Sequence, residues 1–204
     1  MLRLLAKAPS AFWSVGLVQF FCWAAFLFMW TYTNGTVAAN AFDTPILNGE
    51  LDVKSEAYQV AGNWVGILYA VQAIGAVLWA MVIPYIKNTK MGYALSLLLG
   101  AAGFISMTYV TDQYMLFVSF LLIGCAWAAM LAMPFAMLTN SLSGKSMGTY
   151  LGLFNCTICI PQIVAAVMGG FILRLVGDTQ VMMLVLAGIL LVLGAVSVKL
   201  IKTR

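Results

Sequence analysis

Charge is excluded from six long apolar runs of this 204-residue chain and collects, sorted by sign, in the connectors between them. If the first run leaves the cytoplasm, the segments on that side hold Arg3, Lys7, Lys87, Lys90, Lys145, Lys199, Lys202 and Arg204, with no acid. The opposite side holds Asp43, Glu50, Asp52, Glu56, Asp112 and Asp178 against only Lys54 and Arg174. Basic residues retained on the cytoplasmic side of short loops set the orientation of a polytopic protein. The pattern therefore predicts an integral protein of the plasma (inner) membrane, and an even number of spans puts both termini in the cytoplasm.

A helix needs about 20 apolar residues to cross the hydrocarbon core. The runs at 12–38, 60–86, 91–110, 114–138, 148–173 and 180–199 meet that length, so the expected fold is all-α with six transmembrane helices in a single bundle over 1–204. The 39–59 connector is long and acidic, and Pro45, Asn48 and Gly49 mark turns in it. The other connectors are short, so successive helices must run antiparallel. The net charge of +4 is accounted for by cytoplasmic loops lying against anionic lipid, and no nucleic-acid partner is expected. Histidine is absent, which removes the commonest general base and metal ligand. No catalytic group, cofactor or metal site is expected, and the chain does not read as an enzyme.

Function must then reside in the few polar groups inside the spans. Spans three and six offer little besides Ser and Thr, whose hydroxyls bond back to their own helix. Spans one, two and five carry Gln19, Asn34, Asn63, Gln72, Asn155 and Gln162, and span four ends in Pro134 and Asn140. An amide facing lipid is costly, so these side chains should face protein or a wet cavity. Spans one, two, four and five would surround a polar path, with three and six as outer supports. That three-plus-three arrangement is typical of secondary transporters built from repeats. Gly62, Gly66, Gly75, Gly148, Gly152, Gly169 and Gly170 would permit close helix contact.

In span five, Asn155, Cys159 and Gln162 share a helical face. The two amides bracket the midplane, and Pro161 removes a backbone donor, which suits a helix that bends during gating. The same amides would equally serve to hold neighbouring helices together. In span one, Gln19, Trp23, Phe26, Trp30 and Thr33 form one stripe. Indole faces beside amides and hydroxyls suit a sugar, which presents C–H surface and a rim of hydroxyls; lipid contact or packing is the structural alternative. Thr31 to Thr36 make a poor lipid-facing helix, so the outer half of span one should be unwound or line a cavity. Span two places Tyr69, Gln72 and Trp79 on one side. Cys156 and Cys159 have the spacing of disulfide oxidoreductases, but they lie mid-span without a relay pair and read as two small buried residues.

The stretch GTYLGLFNCTICIPQIVAA (148–166) resembles the eleventh-helix signature of the glycoside-pentoside-hexuronide:cation symporters, in particular the branch with plant sucrose transporters, within the major facilitator superfamily. AWAAMLAMPFAMLTNSL (126–142) is similar to that family's tenth helix, and QFFCWAAFLFMWTYTNGTVA (19–38) to its seventh. Residues 83–92 stand at the place of the superfamily's basic loop but lack its acid. The resemblance implies the carboxyl-terminal half of a twelve-helix sugar transporter working by alternating access, driven by a proton or sodium gradient. On the reading of the spans given above, Gln19, Trp23, Trp30, Asn34, Tyr69, Gln72, Asn155 and Gln162 are the candidates for substrate contact, with Asn140, Lys145 and Pro161 in gating. The expected partners are a sugar or glycoside, the coupling cation, a missing amino-terminal six-helix half that carries the coupling carboxylate, and the lipid bilayer. The chain would be a fragment or a split gene product. A membrane thiol-disulfide oxidoreductase using Cys156 and Cys159, or a non-transporting packing subunit, are the alternatives.

The topology is testable directly. A single cysteine at position 50, in a chain whose four native cysteines are replaced, is expected to react with an impermeant maleimide from outside the cell. Labelling only from the inside would invert the assignment.

Overall fold

The computed structural model describes residues 8–47, 49–140, 147–177 and 179–201, and it is almost entirely helical. Helix α1 runs over Ser10–Ala41. A hairpin of β1 (Ile46–Leu47) and β2 (Glu50–Leu51) follows, pairing Ile46 with Leu51 and Leu47 with Glu50. Next come α2 (Glu56–Val82), α3 (Thr89–Ser106) and α4 (Leu116–Thr139). The last segments are α5 (Met147–Phe154), α6 (Cys156–Leu175) and α7 (Gln180–Ser197).

The helix boundaries follow local chemistry. Ser55 caps α2, its Oγ accepting from Tyr58 N at 3.2 Å, and Glu56 favours the positive end of the dipole. Asn88 caps α3 by accepting from Met91 N at 3.1 Å. Asp112 Oδ1 accepts from Tyr114 N and Met115 N at 2.8 and 3.0 Å, turning the chain into α4. Gly49 supplies the hairpin turn with φ +86°, which a residue without Cβ adopts at no steric cost.

Five segments are long and apolar enough to cross a membrane: Ser10–Ala41, Glu56–Tyr85, Leu116–Thr139, Met147–Leu175 and Gln180–Leu200. The chain is therefore a membrane protein on length and composition. The third expected span, 91–110, appears as the shorter α3, which ends at Ser106 and whose first turn contains Lys90. Two further expectations are corrected. Of the two alternatives expected for the outer half of α1, unwound or lining a cavity, the first is overturned: the helix continues through Ala41, and Thr31 Oγ1 and Thr36 Oγ1 donate to Leu27 O and Tyr32 O, both at 2.9 Å. Span five is two helices, because at Asn155 the backbone N–H is shared between Leu151 O and Gly152 O, both at 3.3 Å.

Packing places α1 and α4 at the centre. Of the most apolar stretch of each helix, 61% is buried in α1 and 56% in α4, against 17% in α2 and in the α5–α6 span. The principal contacts are α1 with α7 and α6, α4 with α3 and α2, and α3 with α7. Exchanging the first three spans with the last three maps this pattern onto itself: α1–α7 becomes α4–α3, and α1–α6 becomes α4–α2. Helices α2 and α6 thus stand as two exposed flanks, while α3 and α7 pack together behind the centre.

The contact glycines differ from those expected. Gly62, Gly75 and Gly169 of the expected set do meet neighbouring helices, but Gly66, Gly148, Gly152 and Gly170 face open space. One close crossing is α2 with α4. A Cβ on Gly75 would lie 2.7 Å from Leu121 O, and one on Gly124 would lie 2.7 Å from Ala76 N. A comparable approach of α3 to α4 at Gly103 brings Ser106 Oγ and Ser119 Oγ to 2.8 Å.

Gly124→Val is therefore expected to force the α2–α4 crossing apart, at a cost of about 1–3 kcal/mol from overpacking. Gly66→Ala should be neutral. Thermal unfolding in detergent, followed by size-exclusion profile, checks both; equal behaviour of the two variants would contradict the crossing.

Candidate functional site

The centre of the bundle carries an aromatic seam built from two helices. Trp23, Phe26 and Trp30 recur at helical spacing on α1, and Trp127 of α4 packs among them. Its ring centroid lies 6.0, 5.1 and 5.8 Å from those of Trp23, Phe26 and Trp30. Phe26 is backed by Phe104 of α3 at 5.5 Å, edge to face. Such tilted and T-shaped pairs contribute about 0.5–1.5 kcal/mol each beyond area burial. The seam is not sealed: Trp30 keeps 41% of its surface exposed.

Polar atoms without partners gather along the same helix. Among the described residues, the buried side-chain atoms lacking a hydrogen bond are Gln19 Nε2, Trp23 Nε1, Thr33 Oγ1, Asn34 Oδ1, Thr44 Oγ1 and Gln72 Oε1. Four lie on α1, Gln72 lies on α2, and Thr44 lies beyond the helix. The Tyr69 hydroxyl approaches Thr33 without reaching hydrogen-bonding geometry, and the Tyr69 ring packs on Phe120 at 5.9 Å. Asn34 faces α2 at Gly62, where a Cβ would lie 3.5 Å from Asn34 Oδ1. Buried polar groups are normally satisfied, so an aligned set of unsatisfied ones needs an explanation.

The residues singled out from sequence divide into three groups. Trp23 and Trp30 of α1 pack on Trp127 of α4, Asn34 faces α2 at Gly62, and Tyr69 and Gln72 lie on α2, with the Tyr69 ring against Phe120 of α4. Gln19 lies deeper in the protein: it is fully buried, and its Oε1 accepts from Tyr93 Oη of α3 at 3.4 Å. Asn155 and Gln162 stand apart on the flank. Asn155 is exposed at the helix interruption, and Gln162 Nε2 donates to Ile158 O of its own helix at 3.2 Å. The buried positions of α6 are Pro161, Ala165 and Gly169, one stripe beside α1. Asn140 is exposed at the end of α4, and Lys145 lies outside the described residues. Trp79, expected beside Gln72, instead donates to Ser96 Oγ of α3 at 2.8 Å.

Cys156 and Cys159 are free and exposed, contrary to the expectation that they are buried. Trp127 is the residue that reading the sequence missed. It stands alone among alanines and methionines, and its only signal was a large indole in a span otherwise valued for Pro134 and Asn140.

No family model matches the chain, and no curated protein is similar to it.

Gln19 and Tyr93 offer a clean test of a buried polar pair. Gln19→Leu should strand the Tyr93 hydroxyl and cost about 1–3 kcal/mol, and adding Tyr93→Phe should recover most of that loss. Thermal unfolding of the two single variants and the double variant measures the coupling; additive losses would contradict the pairing.

Proposed function

We propose that the chain is one six-helix half, with α3 as its third span, of a secondary transporter of the major facilitator type. It moves a neutral sugar or glycoside by alternating access, with both termini in the cytoplasm of an inner membrane. The observation that carries this reading is the coincidence of the open Trp30–Trp127 seam with the unpaired polar atoms of Trp23, Thr33, Asn34 and Gln72.

The inventory of those atoms describes a ligand. Asn34 Oδ1 and Gln72 Oε1 are acceptors, Trp23 Nε1 is a donor, and the Thr33 hydroxyl is either. Sugar hydroxyls both donate and accept, so a sugar matches every kind of group in this set, while its C–H face suits indole. Among the described residues, Glu56, Lys90, Arg174 and Lys199 stand at helix ends, so no formal charge faces the seam, and an uncharged ligand is favoured. Helices α2 and α6 are exposed along most of their length, and Asn155 is exposed at membrane depth. A polar group there is costly against lipid, which favours a second six-helix bundle as the opposite wall. That bundle would also supply the group that binds a coupling proton or sodium. The interruption at Asn155, followed by Pro161, gives the flank a joint of the kind that gating needs.

The test is tryptophan fluorescence of the purified chain in nanodiscs, titrated with neutral mono- and disaccharides. A saturable change is expected for at least one of them. Gln72→Leu should weaken apparent affinity about tenfold, from one or two lost hydrogen bonds and a stranded partner. Trp127→Ala should abolish the change, and Cys156→Ala with Cys159→Ala should leave it intact. No response to any neutral sugar, or one that survives Trp127→Ala, would overturn the assignment. Loss of binding on removing the two cysteines would favour a thiol-based activity instead.

A further inference from the structure

A cavity of about 440 Å³ opens at the end of the bundle that carries the acidic connector. Gly35 and Ala39 of α1, Tyr58 of α2, the β1–β2 hairpin with Glu50, and Thr179 and Gln180 at the start of α7 line it. Gly35 and Ala39 stand about 140° and 180° round α1 from Trp30, at about 100° per residue, so the cavity and the aromatic seam use different faces of that helix. The hairpin is held at its base: Asp52 N donates to Pro45 O at 2.8 Å, and Asp52 Oδ1 accepts from Lys54 N at 3.0 Å. On the α7 side, Gly35 admits the Gln180 amide against the α1 backbone, where any Cβ would collide with it.

The lining defines the kind of molecule that fits. Most of its residues are apolar and a few are polar, as in sites for small organic molecules. The Thr179 hydroxyl is already committed, donating to Val176 O at 3.2 Å, and the Gln180 amide is turned onto α1. Glu50 is the one charged residue among the described residues of the lining, and no Lys or Arg stands with it. Half-buried Tyr58 adds an aromatic ring, whose face attracts a cation. Around the cavity, residues 42–59 hold Asp43, Glu50, Asp52 and Glu56 against Lys54 alone, and a field of one sign concentrates ions of the other. The start of α7 acts the other way, but a helix end carries only about half a charge and its effect fades within a turn. The full charge of a carboxylate outweighs it.

We propose that this cavity is a binding site for a small organic cation, with the ammonium group beside Glu50 and Tyr58 and the apolar body under the hairpin. The site is separate from the Trp30–Trp127 seam, and its existence does not depend on which solute the protein carries.

Protection from alkylation tests it. Val53 lines the cavity and is 54% exposed, so Val53→Cys, in a chain whose four native cysteines are replaced, places a reporter thiol in the wall. The purified chain in nanodiscs is treated with N-ethylmaleimide in the presence of benzyltrimethylammonium, its neutral carbon isostere neopentylbenzene, or phenylacetate. The cation is expected to slow alkylation saturably, and the isostere and the anion are not. Glu50→Gln should raise the half-protecting concentration about fivefold, the worth of a partly exposed ion pair, and Glu50→Asp should restore most of the protection. Tyr58→Leu should raise it about threefold, from the lost cation–π contact. Ala39→Phe, at an exposed helix position, fills the cavity from α1 and should abolish protection. No protection by benzyltrimethylammonium would overturn the site. Equal protection by the neutral isostere, or protection unchanged in Glu50→Gln, would mean partition into an apolar gap, with the same consequence. Protection by phenylacetate alone would assign the cavity to the start of α7 and an anion, which also overturns it.

Discussion

A backbone inside hydrocarbon has no water to bond, and that single constraint shapes this molecule more than any side-chain contact. It forces the apolar runs into helices and turns the Thr and Ser hydroxyls back onto their own carbonyls, as at Thr31, Thr36, Ser96, Thr139 and Ser197. It also gives meaning to whatever remains unpaired. In a soluble protein a stray amide can be wetted. Within α1 the unpaired atoms of Trp23, Thr33 and Asn34 have no such recourse, and they lie beside a Trp cluster that stays open at Trp30.

Where no water drives helices together, association rests on how closely they approach. The bundle solves this with glycine at the crossings. Gly75 and Gly124 seat α2 on α4, and Gly103 seats α3 on α4. The principal contacts map onto one another when the first three spans trade places with the last three, which puts α1 and α4 in similar central positions, although α1 touches α2 more than α4 touches α6. The aromatic seam lies between those two helices. The joint at Asn155 lies between α5 and α6, on one of the two lightly packed flanks.

Much of the fold was legible from residue order. All six apolar runs are helical, five of them long and apolar enough to cross a membrane, and the turn residues Pro45 and Gly49 lie in the connector between the first two. About half of the candidate site was legible too, because Trp23, Trp30, Asn34, Tyr69 and Gln72 stood out as polar or indole groups in apolar surroundings. Trp127 did not, since its partners belong to another helix 100 residues away in sequence. Gln19 was read as part of the path but is enclosed with Tyr93, because periodicity gives a stripe on α1 without saying which neighbour covers each end of it. Pro161 drew attention as a bend, whereas the break falls at Asn155, where a shared N–H tightens the turn.

Sequence alone determined that this chain lives in a membrane, since helical length and the cost of burying charge are properties of a segment taken by itself. The sign of its loops predicts orientation for the same reason. Which glycines touch, which amides stay unpaired and which indole completes the seam were decided only by the tertiary structure. Those outcomes depend on the relative rotation and height of helices. Several rotations place an apolar stripe equally well, and side-chain packing between distant segments selects one of them.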